Sequence, residues 1–244
     1  MKKTDISQLG EFGLIDHLTQ GIIPVNKSTR KGIGDDAAVL NYGGNDLVMT
    51  TDMLMEGIHF DLIYTPMKHL GYKAAIVNFS DVFAMNAIPR QITVSIALSS
   101  KMSVEAVAQF YEGLKLACSK YNVDLVGGDT CASITGMAIS ITAIGEAVYG
   151  DVVFRSGAKP NDLVCVNGDL GSAYLGLQLL EREKIVFKAN PNSQPDLEPY
   201  SYLVERILKP EARRDVIMAL KEAGVKPSSM IDISDGLSSE ILHI

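Results

Sequence analysis

The 244 residues carry 47% hydrophobic side chains and a formal net charge of -7. The chain can therefore bury one large core or two small ones, and it lacks the Lys/Arg cluster that would make a nucleic-acid-binding face. Its three cysteines, Cys118, Cys131 and Cys165, are odd in number and have no metal-ligand spacing, which suits a reducing cytoplasm better than a disulfide framework.

In chain order, Asp5 or Ser7 is placed to cap a first helix with Leu9, Phe12, Ile15 and Leu18 on one face and Gly21 at its end. Lys2 and Lys3 are followed by Thr-Asp-Ile-Ser-Gln rather than a signal sequence. No apolar run is long enough to span a bilayer, so the expectation is a soluble, cytoplasmic protein. Val25 to Lys31 reads as polar loop. The stretch from Lys31 to Val39 then sets Asp35 and Asp36 between glycines and a small apolar run, and Thr50, Thr51 and Asp52 are expected to end the apolar strand Leu47-Val-Met49. Thr65 and Pro66 form an N-cap and N1 pair for a helix to about Met85. That helix is apolar nearly all round and hence buried, yet Asn78 and Asp81 share one of its faces.

Gln91 to Leu98 alternates as a strand, Ser103 caps a helix to about Tyr121, and Asp124 to Val126 is a short strand running into a Gly127-Gly-Asp-Thr130 turn. Met137 to Val148 is a longer strand. Gly150 to Asn161 marks a domain boundary. Beyond it come a strand from Leu163 to Val166, a helix from about Ser172 to Glu183, an exposed loop from Lys188 to Pro199, and two helices around Pro210. A strand from Met230 to Ile233 then leads into a turn, and a helix begins near Leu237.

The chemistry lies in oxygen ligands. Hard cations such as Mg²⁺ take carboxylates, hydroxyls and water, and acids recur here at expected strand ends and on a buried helix face. A carboxylate such as Asp81 in a buried helix must be paired or bound to metal. Each segment alone has a plainer reading: a turn at Asp35 and Asp36, turn chemistry at Thr50 to Asp52 and at Gly127 to Thr130, a helix N-cap at Asp235. His59 alone reads as a surface histidine, Arg155 as a solvated linker charge or a phosphate clamp, Tyr111 as core, and Met53, Met55 and Met85 as core or wall. Gly32-Ile-Gly-Asp-Asp-Ala37 formally matches a dinucleotide fingerprint, but no apolar strand precedes it, Gly43-Gly44 follows too soon for a helix, and two carboxylates would repel a pyrophosphate. No P-loop is present. The weight lies in the accumulation of acids.

Gly32-Ile-Gly-Asp-Asp-Ala37, Thr50-Thr-Asp52 with Gly57-Ile-His-Phe60, Asn78-Phe-Ser-Asp81, Gly127-Gly-Asp-Thr130, Arg155-Ser-Gly-Ala-Lys-Pro160 and Asp232-Ile-Ser-Asp-Gly-Leu237 occur in this order. Together they resemble the thiamine-monophosphate kinase family, within the superfamily of aminoimidazole ribonucleotide synthetase and selenophosphate synthetase, from about Gly10 to Ile244. The resemblance implies a two-domain α+β synthetase-like fold. Residues 1–149 would form an N-terminal ATP/Mg-binding and dimerisation domain, in which a mixed sheet with helices makes a homodimer interface. Residues 150–244 would form a C-terminal α/β sandwich domain that is incomplete, the chain being a C-terminally truncated version of a longer protein. It implies transfer of the ATP γ-phosphoryl to thiamine monophosphate, with several Mg²⁺ held by Asp36, Thr50, Thr51, Asp52, Asp81, Asp129, Asp232 and Asp235. Tyr111, Gly128, Asp129, Arg155 and Ser234 match nucleotide contacts, and His59 matches a thiamine-phosphate contact. Two other readings stay open: a sibling ATP-dependent synthetase, and a non-catalytic ATP-binding relative. In the truncated chain, nucleotide binding is expected to survive better than the thiamine half of the site.

Overall fold

The structure, a computed structural model, describes residues 25–192 and 194–244 together with Gly13, His17, Thr19 and Gln20. The caps and apolar face expected for the first helix, Asp5, Ser7, Leu9, Phe12, Ile15, Leu18 and Gly21, lie outside the described residues.

Six strands, β1 (Thr29–Lys31), β2 (Ala38–Asn41), β3 (Asp46–Met55), β4 (Ile88–Ser99), β5 (Asp124–Ser133) and β6 (Ala138–Ala147), form one sheet in the order β1-β2-β3-β6-β4-β5. Only β4 and β5 run parallel. Such a pair needs a crossover, and the helix α2 (Val104–Tyr121) supplies it. Ser103 accepts from the Ala106 amide at 3.2 Å, capping α2 as expected, and Asn122 ends it in the left-handed region. The sequence reading of Val25 to Lys31 as loop is corrected at its end. Three polar residues pair with β2 as β1, and Arg30 is tied to the buried Asp46 by an ion pair.

The equally long helix α1 (Met67–Ala84) starts one residue later than expected: Pro66 is the N-cap, and no side chain caps the helix. Twelve of its residues are buried, among them Leu70, Ile76, Phe79 and Val82, so it sits between α2 and the sheet. It covers Ile92, Val94 and Ile96 of β4 and Ile139 and Ile141 of β6, which are all buried. The apolar face of those two strands is therefore covered by α1. On the sheet's other face β3 exposes Met49, Met53 and Met55, and at the sheet edge β5 exposes Leu125 and Val126.

Two expected strand ends are strand interiors. Thr50, Thr51 and Asp52 lie in the middle of the ten-residue β3, and Gly127 to Thr130 lie within β5. Polar residues do not stop a strand whose neighbours continue to pair; they only alternate between faces. Beyond β6 come α3 (Ser172–Ala189, extending past the expected Glu183), a 3-10 turn (Glu198–Tyr200), α4 (Ser201–Leu208), α5 (Arg214–Glu222) and the single-turn α6 (Leu237–Glu240). The strands expected at Leu163–Val166 and Met230–Ile233 are not formed, so the region 150–244 has helices without the sheet of a sandwich. No partner strand lies beside either segment among the described residues, and a lone strand leaves its backbone groups unpaired. Val152, Ala212 and Ile217 nonetheless join the core beneath the first six strands. Glu211, just before α5, takes the hydroxyls of Tyr72 and Tyr121 and the ammonium of Lys120 at 3.0, 2.8 and 2.6 Å. Among the described residues, no helix is long and apolar enough to cross a membrane.

The α1–α2 contact depends on two glycines that face each other's backbone. A Cβ on Gly71 would stand 1.9 Å from the Phe110 carbonyl oxygen, and one on Gly113 would stand 1.8 Å from that of Lys68. Neither obstacle is a side chain that can swing away, so the helices must separate. Gly113→Ala is expected to cost about 1–3 kcal/mol, as overpacking does; urea denaturation of the parent and the variant measures it.

Candidate functional site

One turn near the C-terminal end of α1 organises the site. Asn78 is buried; its amide donates to the Ala74 carbonyl at 3.0 Å and its oxygen accepts the Asp52 backbone N–H at 3.2 Å. Asp81 accepts the Thr50 hydroxyl at 2.7 Å. The Ser80 hydroxyl donates to Asp232, 152 residues later, at 2.6 Å. The helix therefore binds β3 with two side chains and the segment before α6 with a third. From the loop between β1 and β2, Asp36 accepts from the Arg155 guanidinium at 2.5 Å, and the fully buried Asp35 carboxylate accepts the Arg155 backbone N–H at 3.1 Å. That loop leads into a strand rather than a helix, which removes the dinucleotide reading.

These acids lack enough counter-charge. Burial pushes Asp36 up to about 6, with Arg155 opposing and Asp232 adding to the shift. Burial, then the charges of Asp52 and Asp232, pushes Asp81 up to about 9. Burial and Asp232 also raise Asp52, and the His59 imidazole opposes them. Asp232 is raised by burial against the Ser80 hydrogen bond, and Glu240 adds to the rise. Arg155 pairs with Asp36, approaches Asp35 and also favours the ionised form of Asp232, and Lys31 lies 4.0 Å from Asp35; Asp52 and Asp81 have no ion pair among the described residues. Oδ2 of Asp35, Oδ2 of Asp36 and Oε2 of Glu240 are buried with no hydrogen-bond partner.

Among the described residues, no three carboxylate, imidazole or thiol groups form a ready cage for one ion. Mg²⁺ does not ask for one, since it keeps several waters and binds through one or two carboxylates plus substrate phosphates. Unneutralised, partly orphaned carboxylate oxygens from several segments fit that ion.

The other expected residues divide. His59 stands beside Asp52, its Nδ1 accepting the Met55 N–H at 3.0 Å; this hydrogen bond places the proton of the neutral ring on Nε2. Tyr111, Gly128 and Asp129 line one groove of about 550 Å³ with Leu125, Val126, Gly127 and Thr130. At Gly128 the strands approach so closely that a Cβ would stand 1.9 Å from the Val94 carbonyl oxygen. Two placements depart from the sequence reading. Asp129 is on β5, three strands from β3, and its register partner Ser95 lies on the face away from α1, so a single chain does not bring it to the acids. Thr51 also faces away from Thr50 and Asp52, and its hydroxyl donates to the Ile141 carbonyl. Asp235 and Ser234 are exposed at the turn before α6. Asp235 does not cap that helix with its side chain; its backbone N–H donates to Glu240 at 2.9 Å. Sequence reasoning gave no role to Ser80 or to Glu240, which is buried. Ser80 had a legible signal, as a polar residue in the same turn as Asn78 and Asp81 of an apolar helix.

Comparison with known proteins follows this geometry. Residues 34–147 match the family described as AIR synthase related protein, N-terminal domain. The thiamine-monophosphate kinase of Bacillus subtilis (strain 168) is 38% identical over 97% of this chain and 70% of its own length. The chain belongs to the thiamine-monophosphate kinase family. The Aquifex aeolicus (strain VF5) member is 36% identical over 98% of this chain and 71% of its own. A solved structure described as AaThiL complexed with AMPPCP and TMP superposes with a TM-score of 0.83 at 35% identity, over all of this chain and 72% of that one. The six-stranded mixed sheet with its helices is thus the α+β synthetase-like fold of the family.

Asp36 and Asp81 hold protons in the folded chain at pH values where an unfolded carboxylate, near 3.8, has lost them. Between about pH 4 and pH 9 the native state then binds more protons, and stability falls as pH rises. Asp81→Asn keeps an acceptor for Thr50 and removes the largest part of this effect. Without divalent cations, the variant is expected to melt several degrees above the parent at pH 8, with the gap closing toward pH 4. Thermal unfolding across that range checks it.

Proposed function

We propose that this protein transfers the γ-phosphoryl of ATP to the phosphate of thiamine monophosphate, giving thiamine diphosphate and ADP. The observation that carries the reading is the set of under-neutralised acids Asp36, Asp52, Asp81 and Asp232 around one turn of α1, in a chain of this family. An oxygen of the acceptor phosphate forms the new bond to phosphorus, and the bond from that phosphorus to the β–γ bridging oxygen breaks. The acceptor oxygen is already ionised, so no general base is needed, and positioning with charge neutralisation is the whole task.

In this reading Asp36, Asp52, Asp81 and Asp232 hold Mg²⁺, with Thr50 and Asp235 as further ligands; Thr51 and Asp129 face away from this cluster in the single chain and are not counted among its ligands. Bound Mg²⁺ would supply charge neutralisation on the phosphates. Tyr111, Gly128 and Asp129 line the nucleotide groove, Arg155 and Ser234 contact the nucleotide from the linker and the α6 turn, and His59 contacts the phosphate of thiamine monophosphate. Arg155 suits this task because its planar guanidinium already sits at the acid cluster. Residues 1–149 serve as the ATP/Mg-binding and dimerisation domain, and residues 150–244 carry the acids that complete the site. The two stretches share one core, which supports their acting together. A homodimer through the open face of the sheet is supported by the exposed Met49, Met53 and Met55. A cytoplasmic location accords with three free thiols, Cys118, Cys131 and Cys165.

In a coupled assay with ATP and Mg²⁺, ADP release is expected to depend on thiamine monophosphate, and Asp81→Asn is expected to lower it on the order of 100-fold or more. ATP consumption indifferent to thiamine monophosphate overturns the reading. Light scattering at micromolar concentration is expected to give about twice the chain mass of 26.4 kDa; a monomeric mass removes the homodimer.

A further inference from the structure

The middle of α1 is apolar from Ala74 to Val77 and from Val82 to Ala84. The polar side chains between, Asn78, Ser80 and Asp81, each reach a different acid-bearing element. Asn78 holds the backbone of Asp52 and Asp81 takes the hydroxyl of Thr50, both on a strand that the sheet fixes on two sides. Asp232 has no such support. It lies in a segment with no regular secondary structure, and its backbone neighbourhood is anchored at Met230, whose N–H donates to the Phe154 carbonyl at 3.2 Å. Its carboxylate is subject to repulsion from Glu240, and its own charge raises Asp36, Asp52 and Asp81. Left alone, a carboxylate so placed turns toward water. The Ser80 hydroxyl opposes this with a short hydrogen bond of 2.6 Å, and the charge of Arg155 adds to it.

We propose that Ser80 is a positioning residue: its hydroxyl holds Asp232 inside the acid cluster, so that this carboxylate is set to share a divalent cation with the acids on β3 and α1. The inference rests on the reading of the cluster as a cation site. Ser80 touches no reacting atom and acts through Asp232. Hydrogen-bond partners of metal ligands typically govern affinity by 10–100-fold, and this one also joins the region after residue 150 to α1.

The test is Mn²⁺ titration of the purified chain, read as free Mn²⁺ by electron paramagnetic resonance, beside the Mg²⁺ dependence of turnover. Ser80→Ala is expected to weaken Mn²⁺ binding by about 10–100-fold and to raise the Mg²⁺ concentration needed for half-maximal rate by a similar factor. The melting temperature without metal should stay near the parent's, and Ser80→Thr, which keeps the hydroxyl, should recover the affinity. In an Asp232→Asn background, Ser80→Ala should change the affinity no further. Parent-like Mn²⁺ affinity in Ser80→Ala, or an equal loss in the Asp232→Asn background, overturns the proposal. If Ser80→Ala does not fold, Asp232→Asn alone must show the loss of affinity, and parent-like binding there overturns it too. A parent chain that binds no Mn²⁺ sinks the cation site itself and is distinct from each of these results.

Discussion

Mutual repulsion among carboxylates withdrawn from water is the constraint on which this structure turns. Asp36, Asp52, Asp81 and Asp232 come from a loop, a strand, a helix and a late irregular segment; Asp232 makes the other three harder to ionise, and Asp52 and Asp36 do the same to Asp81. Burial without pairing is costly, so the fold must hold these groups together against their own preference. It does so with small directed contacts: Thr50 to Asp81, Ser80 to Asp232, Arg155 to Asp36, and Asn78 to the backbone of Asp52. The apolar remainder of α1, locked against α2 through Gly71 and Gly113, gives those contacts a rigid base. Stability is lost at the site and recovered in the core beneath it, the usual exchange at a functional centre.

Much of the sheet and the helices α1 and α2 were legible because their signals are local. The Ser103 cap of α2, the alternation in β4 and the unbroken apolar run of α1 each need only a few neighbouring residues. What was misread depended on pairing. Thr50 to Asp52 look like the end of a strand, yet β6 continues beside them through Ala138. Gly127 and Gly128 look like a turn, yet they lie within β5, where Val94 passes so near Gly128 that only a glycine fits there. Leu163 to Val166 has strand composition, and Leu163 and Val164 are largely exposed with no ladder to join. Composition states a preference for extended backbone; only a partner strand realises it.

The site was legible in its residue types more than in its geometry. The motifs carried Asp36, Asp52, Asp81 and Asp232, and the structure draws these together. Alternation along a strand separates what sequence proximity joins: Thr51 turns from Thr50 and Asp52, and Asp129 lies across the sheet from them. Ser80 was missed because its partner is 152 residues away, a distance at which no periodicity speaks. Glu240 was missed for the opposite reason, since its local position, in a single turn of helix, says nothing of its burial next to Asp232.

The linker after β6 is more than a connection. Phe154 and Arg155 run between the Asp35 loop and the segment before Asp232. Asp35 takes the Arg155 N–H on one side, while the Ser229 hydroxyl and the Met230 N–H reach the Arg155 and Phe154 carbonyls on the other. Gly157 admits this closeness, for a Cβ there would stand 2.2 Å from the Ser228 carbonyl oxygen. The two carboxylates that come from irregular backbone, Asp36 and Asp232, are thereby measured against the same two linker residues, while Asp52 and Asp81 are measured against α1. Ser80 joins the two frames. A site whose ligands repel one another keeps its shape when every ligand is referred to a rigid element by at least one hydrogen bond, and here the late segment satisfies that condition through a single hydroxyl and a strip of linker backbone.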